Sequence, residues 1–300
     1  MEDEKVFLGD VKSGENIKTS LMVMKIMYKD SNKVVCILAD RSGDIKATIS
    51  SKKGNIKEGT VIAVDGIKDG NLEVKKCEIL EDYNIEDYLP NVSRPIEDIM
   101  AEIESYTEKY IVSEEAKSLN DYFFKNSEFV DQFQKGIAGV SMHHNYIGGL
   151  AEHTLGVMYI TIILCEKYKC KNTEIAVLAA KLHDIGKIHE LKFDGPFKYT
   201  LRGEMEGHIV IGVEMLQKAF DANPGLYSED FITRMKGCIV QHHGKLEYGS
   251  PRDMKLEESF ILNSADSIDA TMNKISQIKA KTPDGGWSEY DRKLEAKLYL

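Results

Sequence analysis

Residues 181–190 read KLHDIGKIHE, and this stretch decides how the second half of the chain is interpreted. It places His183 directly before Asp184 and Lys187 one helical turn later, in a segment with the apolar spacing of a buried helix. Charged side chains are seldom fully buried unless they are paired or bound to a metal ion. The stretch therefore predicts a helix that carries ionisable groups into the interior for a chemical purpose.

The other histidines extend this pattern, since all eight lie between residues 143 and 243. A single histidine on an apolar helix is more often a core residue than a metal ligand. Here, however, five helical segments each offer a ligand-type side chain: His153, His183 with Asp184, His208, His242, and Asp266. Imidazoles and carboxylates together suit divalent manganese, iron, nickel or zinc, and helices of a bundle can direct such ligands to one point.

The adjacent pair His183 and Asp184 can reach one metal ion only where the helix is ending, because neighbouring helical residues point in different directions. Gly186 predicts such an end. A carboxylate at this place can bridge two cations, and a bridged pair roughly 3.5–4 Å apart is the arrangement used in two-metal phosphoryl chemistry. The motif therefore indicates hydrolysis of a phosphoester.

The sequence around the motif predicts an all-α domain from residue 96 to the end of the chain. Helical periodicity indicates helices at 96–110, 113–124, 127–135, 148–168, 173–187, 204–220, 229–243 and 256–280, with a short one after Trp287.

The first 80 residues predict a small all-β domain instead. Short segments rich in β-branched residues lie at 17–28, 34–39, 44–49, 61–67 and 72–79, separated by turn signals. Five short strands fit the closed barrel of an OB-fold, which in many proteins binds single-stranded nucleic acid through aromatic side chains. Because this region offers only Tyr28 and Phe7, the barrel is interpreted either as a weak RNA-guiding surface or as a structural or assembly module.

The acidic segment 81–95 is expected to be a linker between these domains. Residues 1–80 hold 14 Lys and Arg against 13 Asp and Glu, whereas residues 81–300 hold 25 against 36. This balance argues against a protein that coats nucleic acid by bulk electrostatics. An acidic start without an apolar core and five cysteines without a C-x-x-C pair predict a cytoplasmic protein with free thiols and no membrane partner.

The ordered histidines and aspartates resemble the HD-domain metal-dependent phosphohydrolases. With HHNYIGGLAEHT (143–154), YTLRGEMEGHIVIG (199–212), QHHGKLEYGSP (241–251) and ADSIDA (265–270), the chain resembles the YhaM-type 3′→5′ exoribonucleases, which join an OB-fold to an HD domain. The resemblance runs over nearly the whole chain. It implies a metal-dependent exoribonuclease that releases nucleoside monophosphates from the 3′ end of RNA.

Roles follow from this resemblance as hypotheses. One metal ion is expected at His153, His183, Asp184 and Asp266, and a second at Asp184, His208 and His242. An activated hydroxide between the two ions would attack phosphorus. Lys187 is expected to stabilise the charge that builds on phosphate, or to be an ordinary cation at a helix end. Manganese is the expected metal, with iron, nickel, zinc or magnesium as alternatives.

His143 and His144 are expected to contact the substrate phosphate or leaving group, with helix capping or core hydrogen bonding as the alternative. His189 and His243 are interpreted as outer-shell or surface residues, and either His242 or His243 can supply the ligand of the QHHG segment.

Three functions remain open at this point. The first is the exoribonuclease, with single-stranded RNA as substrate, single-stranded DNA as a second substrate and a homo-oligomer as a compatible assembly. The second is an HD-type phosphodiesterase acting on a small nucleotide or second messenger. The third is a binding protein without catalysis, which leaves the six ligand-type groups unexplained.

Overall fold

The computed structural model describes residues 5–50, 56–140 and 144–300. The chain divides into two compact units, one of residues 1–91 with 192–198 and one of residues 92–191 with 199–300. The predicted fold class, a small OB-like barrel followed by an all-α bundle, is confirmed. The predicted independence of residues 1–80 and 96–300 stays a prediction.

The first unit is a five-stranded closed barrel. Its strands are paired in the order β1-β2-β3-β5-β4. They are β1 (Glu15–Lys29), β2 (Lys33–Asp40), β3 (Gly43–Ser50), β4 (Val61–Asp69) and β5 (Asn71–Leu80). Alternation along β3 turns Ile45, Ala47 and Ile49 into the barrel, which is the period-two pattern expected of a strand with one buried face. A parallel contact between β3 and β5, at Ala47 and Leu72, closes the barrel.

The turn between β2 and β3 is held by a buried carboxylate. Asp40 Oδ1 accepts hydrogen bonds from the backbone N–H and the hydroxyl of Ser42, and Asp40 Oδ2 accepts one from the N–H of Leu8 at 2.7 Å. Tyr28, the aromatic residue noted for possible base stacking, is about half exposed on β1.

The second unit is helical. Its helices are α1 (Ile96–Tyr110), α2 (Glu114–Phe124), α3 (Ser127–Lys135), α4 (Gly149–Tyr168), α5 (Thr173–Leu182), α6 (Lys187–Glu190), α7 (Leu201–Ala222), α8 (Glu229–Gln241) and α9 (Glu257–Lys279). Two short strands, β6 (Leu191–Lys192) and β7 (Lys198–Tyr199), pair between α6 and α7.

Two helix predictions need correction. The predicted helix 173–187 ends at Leu182, and α6 starts only after a turn at residues 183–186. The short helix predicted after Trp287 is wrong, because that segment forms isolated antiparallel bridges, from Trp287 to Tyr299 and from Asp291 to Ala296. Alternating exposure along residues 296–300 is the pattern of an extended strand.

Helix α4 lies in the hydrophobic core of the helical unit. Its residues Leu150, Ala151, Val157 and Met158 are fully buried, and it packs against α5 and α9. By length and composition α4 is also the one helix of the described residues that could cross a membrane, a test that core helices pass as well. The predicted free thiols stay a prediction, and Cys36, Cys165, Cys170 and Cys238 are buried.

A buried lysine was not anticipated from the sequence. Lys181 on α5 is only 1% exposed, and its ammonium group donates hydrogen bonds to Thr107 Oγ1 and Asn120 Oδ1, both at 2.7 Å. The ammonium group also lies 3.8 Å from the centroid of the Phe124 ring. Burial lowers the pKa of Lys181 to about 8. These contacts connect α5 to α1 and α2, behind the end of the helix that carries His183.

Candidate metal centre

The turn between α5 and α6 carries Asp184 into the centre of the helical unit. It lies close against α7, since a Cβ built on Gly186 would be only 2.0 Å from the carbonyl oxygen of His208. The φ of Gly186 is −61°, within the range of an ordinary helix. Gly186 is therefore needed for close packing and not for a left-handed helix end. This packing brings the HD motif within reach of His208.

The two oxygens of Asp184 face different sets of imidazoles. Asp184 Oδ2 lies 3.3 Å from His183 Nε2 and 3.5 Å from His153 Nε2. Asp184 Oδ1 lies 3.5 Å from His208 Nε2 and 3.8 Å from His242 Nε2. Such a division is what a carboxylate that bridges two cations requires.

Asp266 of α9 joins the first of these sets. Its Oδ1 lies 3.2 Å from His153 Nε2, and His153 Nε2 lies 3.3 Å from His183 Nε2. The structure thus brings together all six residues predicted as metal ligands: His153, His183, Asp184, His208, His242 and Asp266.

The Nδ1 atoms of four imidazoles contact acceptors that orient the rings, in His153, His183, His208 and His242. His183 Nδ1 lies 2.9 Å from the carbonyl oxygen of Ala180, and His242 Nδ1 lies 2.7 Å from that of Ile239. The orienting groups of the other two are carboxylates, Asp269 for His153 at 2.7 Å and Glu190 for His208 at 3.1 Å. When Nδ1 donates to such an acceptor, the lone pair of Nε2 is available to a cation beside Asp184.

Several inward-facing atoms lack a hydrogen-bond partner. Asp184 Oδ1, His208 Nε2 and His242 Nε2 are buried and make no hydrogen bond within the part of the chain that the structure describes. Buried polar atoms without partners are costly and call for an explanation. Metal–ligand distances of about 2.0–2.2 Å place two ligands of one ion roughly 3–4 Å apart. The separations around Asp184 fit this spacing, so the arrangement can hold divalent cations.

His243 belongs to the same region, although the sequence suggested an outer-shell or surface position. The ligand atoms of His208, His242 and His243 lie within 4.8 Å of one another. His243 Nδ1 is buried and makes no hydrogen bond with a described residue. The double histidine thus directs both imidazoles toward one side of Asp184.

Charge is concentrated in this interior. Burial alone would raise the pKa of Asp184, but Lys187 and His183 hold it well below its usual range. Burial and the neighbouring imidazoles, with His243 first among them, hold the pKa of His242 well below its usual range. Asp184 is therefore ionised and His242 neutral near pH 7, which are the protonation states that bind cations.

Lys187, the first residue of α6, contacts the central carboxylate directly. Its ammonium group lies 2.6 Å from Asp184 Oδ2 and is buried. Burial alone would lower the pKa of Lys187, but Asp184 raises it, so the group remains charged. The predicted interaction with substrate phosphate stays a prediction.

A second network lies behind His153. Asp269 Oδ2 contacts His153 Nδ1 at 2.7 Å and His144 Nε2 at 2.9 Å. His144 Nδ1 in turn lies 3.0 Å from Glu152 Oε2 and 3.0 Å from the hydroxyl of Tyr146. His144 is buried, so its predicted contact with substrate stays a prediction beside this observed structural role. His143, the other predicted substrate-binding histidine, lies outside the described residues.

The chain leaves room for this network at Gly156 on α4. A Cβ at Gly156 would lie only 1.9 Å from Asp269 Oδ1. Asp269 lies in the quoted segment ADSIDA, one helical turn after Asp266, and Glu190 ends the stretch KLHDIGKIHE, but the sequence alone assigned neither carboxylate an orienting role. His189, by contrast, is exposed on α6 and does not contact the centre.

Replacement of Asp269 by asparagine should weaken metal binding without unfolding the chain. Asparagine can still accept a hydrogen bond from His153. It lacks the negative charge that makes the imidazole a stronger electron-pair donor to a metal ion. Loss of such an orienting partner costs roughly 10–100-fold in metal affinity or activity. Calorimetric titration with Mn²⁺ would measure the affinity, and Glu190→Gln is the matched variant on the other side of Asp184. Unchanged affinity in both variants would contradict the orienting role.

Comparison with known proteins shows which proteins this chain is similar to. Residues 150–271 match the HD domain family. The chain is 26% identical to the 3′-5′ exoribonuclease YhaM of Geobacillus sp. (strain WCH70), over 95% of this chain and 92% of that protein. It is 27% identical to the protein of that name from Bacillus subtilis (strain 168), over 88% and 86% of the two chains.

Among solved structures, asparaginyl-tRNA synthetase from Pyrococcus horikoshii aligns with 74% of this chain and 60% of its own. The TM-score is 0.22 and the identity 11%, values too low to indicate a shared fold.

Proposed function

We propose that this chain is a metal-dependent 3′→5′ exoribonuclease acting on single-stranded RNA. Its residues 150–271 match the HD domain family. The observation that carries the proposal is the Asp184 carboxylate, whose two oxygens face two separate sets of imidazole Nε2 atoms. The similar proteins are named 3′-5′ exoribonucleases, and this name supports the proposed substrate class and direction of attack.

The proposed centre holds two divalent ions. His153, His183, Asp184 and Asp266 would hold the first, and Asp184, His208 and His242 the second, with His243 as a further ligand. Mixed imidazole and carboxylate donors suit manganese, our first choice, as well as iron, nickel and zinc. When bound, two such ions supply Lewis-acid stabilisation of the phosphate and a nucleophile available at neutral pH.

The protein's own groups act on the substrate around this centre. Lys187 is the cation placed to meet a non-bridging oxygen of the scissile phosphate, since its ammonium group already borders the central carboxylate. Its preorganised charge would stabilise the transition state more than the ground state. Asp269 and Glu190 keep the imidazoles of His153 and His208 in orientation.

The small-nucleotide alternative is separated from the exoribonuclease by substrate comparison. Purified protein supplied with Mn²⁺ should shorten a single-stranded RNA oligomer far faster than it hydrolyses cyclic or linear mononucleotides. A single-stranded DNA oligomer of the same sequence would measure discrimination at the sugar. Hydrolysis of nucleotides alone would replace the proposed function by that of a small-molecule phosphodiesterase.

The barrel is proposed to guide long RNA, and a chain that starts at Val92 tests this. The helical unit contains every proposed ligand, so this shortened chain should still hydrolyse a small model diester such as bis(p-nitrophenyl) phosphate. Its action on long RNA should be weaker, because the added nucleic-acid surface is gone. Steady-state rates on both substrates would measure the split. Equal action of the shortened and full chains on long RNA would contradict a guiding role of the barrel.

A further inference from the structure

The last residues of the chain form a small folded platform after α9. Residues 285–300, here called the aromatic hairpin, pair through backbone hydrogen bonds. The N–H of Ser288 donates to the carbonyl of Leu298 at 2.8 Å, and the N–H of Leu300 donates to that of Gly286 at 3.0 Å. An ion pair of 3.1 Å between Lys274 Nζ and Asp291 Oδ2 attaches the hairpin to α9. The platform is therefore fixed to the same unit as the candidate metal centre.

Two aromatic residues occupy one face of this hairpin. Trp287 and Tyr299 pair across it, with ring centroids 5.5 Å apart, yet they remain 68% and 64% exposed. Their planes are inclined at 58°, so each ring offers a face of its own. Tyr290, 55% exposed, lies nearby at the edge of a groove. Large aromatic rings left uncovered in this way are candidates for stacking against a flat partner.

Two exposed lysines, Lys297 and Lys281, belong to this region. Lys297 is exposed, and because side chains alternate along an extended strand it shares the face of Tyr299. The groove beside Tyr290 is lined by Lys274, Lys281, Glu289 and Asp291. Because Lys274 is paired with Asp291, Lys281 is the lysine of this groove that is proposed to meet a phosphate.

The charge of this region differs from that of the rest of the chain. Residues 274–300 hold six Lys and Arg against four Asp and Glu, whereas residues 81–273 hold 19 against 32. A polyanion approaching this acidic body would therefore be favoured at the C-terminal end.

A second copy of the chain fits the aromatic hairpin less well than single-stranded nucleic acid does. Three partly exposed aromatic side chains can bury only about 400 Å², given that each buries roughly 150–250 Å² when fully covered. A stable dimer usually needs about 800 Å² from each partner. Small aromatic area with a basic rim is instead the composition of surfaces that stack bases and contact phosphates.

We propose that the aromatic hairpin is a stacking platform for single-stranded RNA, with bases on Trp287 and Tyr299 and phosphates at Lys297 and Lys281. This inference rests on the proposed function, because it assigns the platform to the strand that enters the metal centre. Helix α9 connects the two places: Asp266 lies near its middle and Lys279 at its end, roughly 20 Å apart at 1.5 Å per residue. The platform would thus hold nucleotides upstream of the cleaved end.

The test uses Trp287 as its own reporter, since it is the only tryptophan in the chain. Full-length protein in EDTA, where metal-dependent hydrolysis is stopped, is titrated with a single-stranded oligouridylate while tryptophan fluorescence is followed. The fluorescence should change saturably. Trp287→Leu, followed by a fluorescent label on the RNA, should weaken binding about 10-fold, the scale of losing one stacked base. Trp287→Phe should retain most of the affinity, and Lys297→Glu should weaken it and reduce its salt dependence.

Tyr168→Ala is the matched control, because Tyr168 is also 68% exposed but lies at the end of α4. With Mn²⁺ present, Trp287→Leu should raise KM for the oligouridylate and leave hydrolysis of bis(p-nitrophenyl) phosphate unchanged. Absence of the fluorescence change together with wild-type RNA binding by Trp287→Leu would overturn the platform. So would sedimentation showing that Trp287→Leu dissociates an oligomer while RNA affinity stays the same. Lack of any Mn²⁺-dependent hydrolysis by the unaltered chain would instead overturn the proposed function.

Discussion

Asp184→Asn is expected to lose its metal and nearly all hydrolytic activity while the helical fold survives. Asparagine keeps the shape and one carbonyl oxygen, but it removes the negative charge that would balance the two proposed dications between the imidazoles of His183 and His208. The fold should persist because Leu182 and Ile185 beside it stay buried in the core. Elemental analysis would measure metal content, circular dichroism the helicity, and RNA hydrolysis in Mn²⁺ the activity.

Two variants serve as controls for Asp184→Asn. Asp221→Asn, the same exchange at an exposed position of α7, should keep both metal and rate. His189→Ala removes an exposed imidazole of α6 that does not contact the centre, and it should likewise keep both metal and rate. Retention of metal and rate by Asp184→Asn would contradict the two-metal account. If that variant unfolds, Asp266→Asn poses the same question at the first metal site.

Lys187→Ala is expected to lower turnover of RNA by roughly 100-fold, the scale of removing one preorganised charge-stabilising group. Metal content should stay unchanged, because the ammonium group contacts Asp184 but cannot itself be a ligand. The measurement is kcat on an RNA oligomer at saturating Mn²⁺, together with elemental analysis.

Lys167→Ala, at an exposed lysine of α4, is the matched control and should be indistinguishable from the unaltered chain. Near-normal turnover of Lys187→Ala would reduce Lys187 to a counter-ion of Asp184. Loss of metal in this variant would show that the lysine acts on the structure of the centre and not on the substrate.

The convergence of the six predicted ligand residues could be predicted from the sequence, because each lies in an apolar helical segment or directly after its end. His153, His183 and Asp266 lie on α4, at the end of α5 and on α9, and packing of these helices through their apolar faces brings the polar groups together. The barrel could be predicted for a related reason, since short β-branched runs between turn signals leave few other folds.

The orienting carboxylates could not be predicted in the same way. Asp269 contacts His153, 116 residues earlier in the chain, and the space for it depends on the missing side chain of Gly156. Glu190 contacts His208 only because the turn at Gly186 packs tightly against α7. Such pairings depend on the detailed approach of two elements, which periodicity does not describe.

Short polar segments were harder still. The aromatic hairpin was predicted as a helix because its few apolar residues do not distinguish a period of two from one of 3.6. Lys181 lies in an apolar helix, and its burial depends on oxygen atoms of Thr107 and Asn120 from two other helices. In both cases tertiary contacts, and not local preference, determine the structure.

The most direct test of the central claim is a time-resolved digest of a single-stranded RNA oligomer labelled at its 5′ end, with purified full-length protein in Mn²⁺ and in EDTA. The account predicts that the labelled RNA shortens progressively from its 3′ end in Mn²⁺, which gives a ladder of labelled products. In EDTA the labelled RNA should stay intact. Immediate release of the labelled 5′ nucleotide, cleavage at internal sites from the start, or equal degradation in EDTA would contradict it.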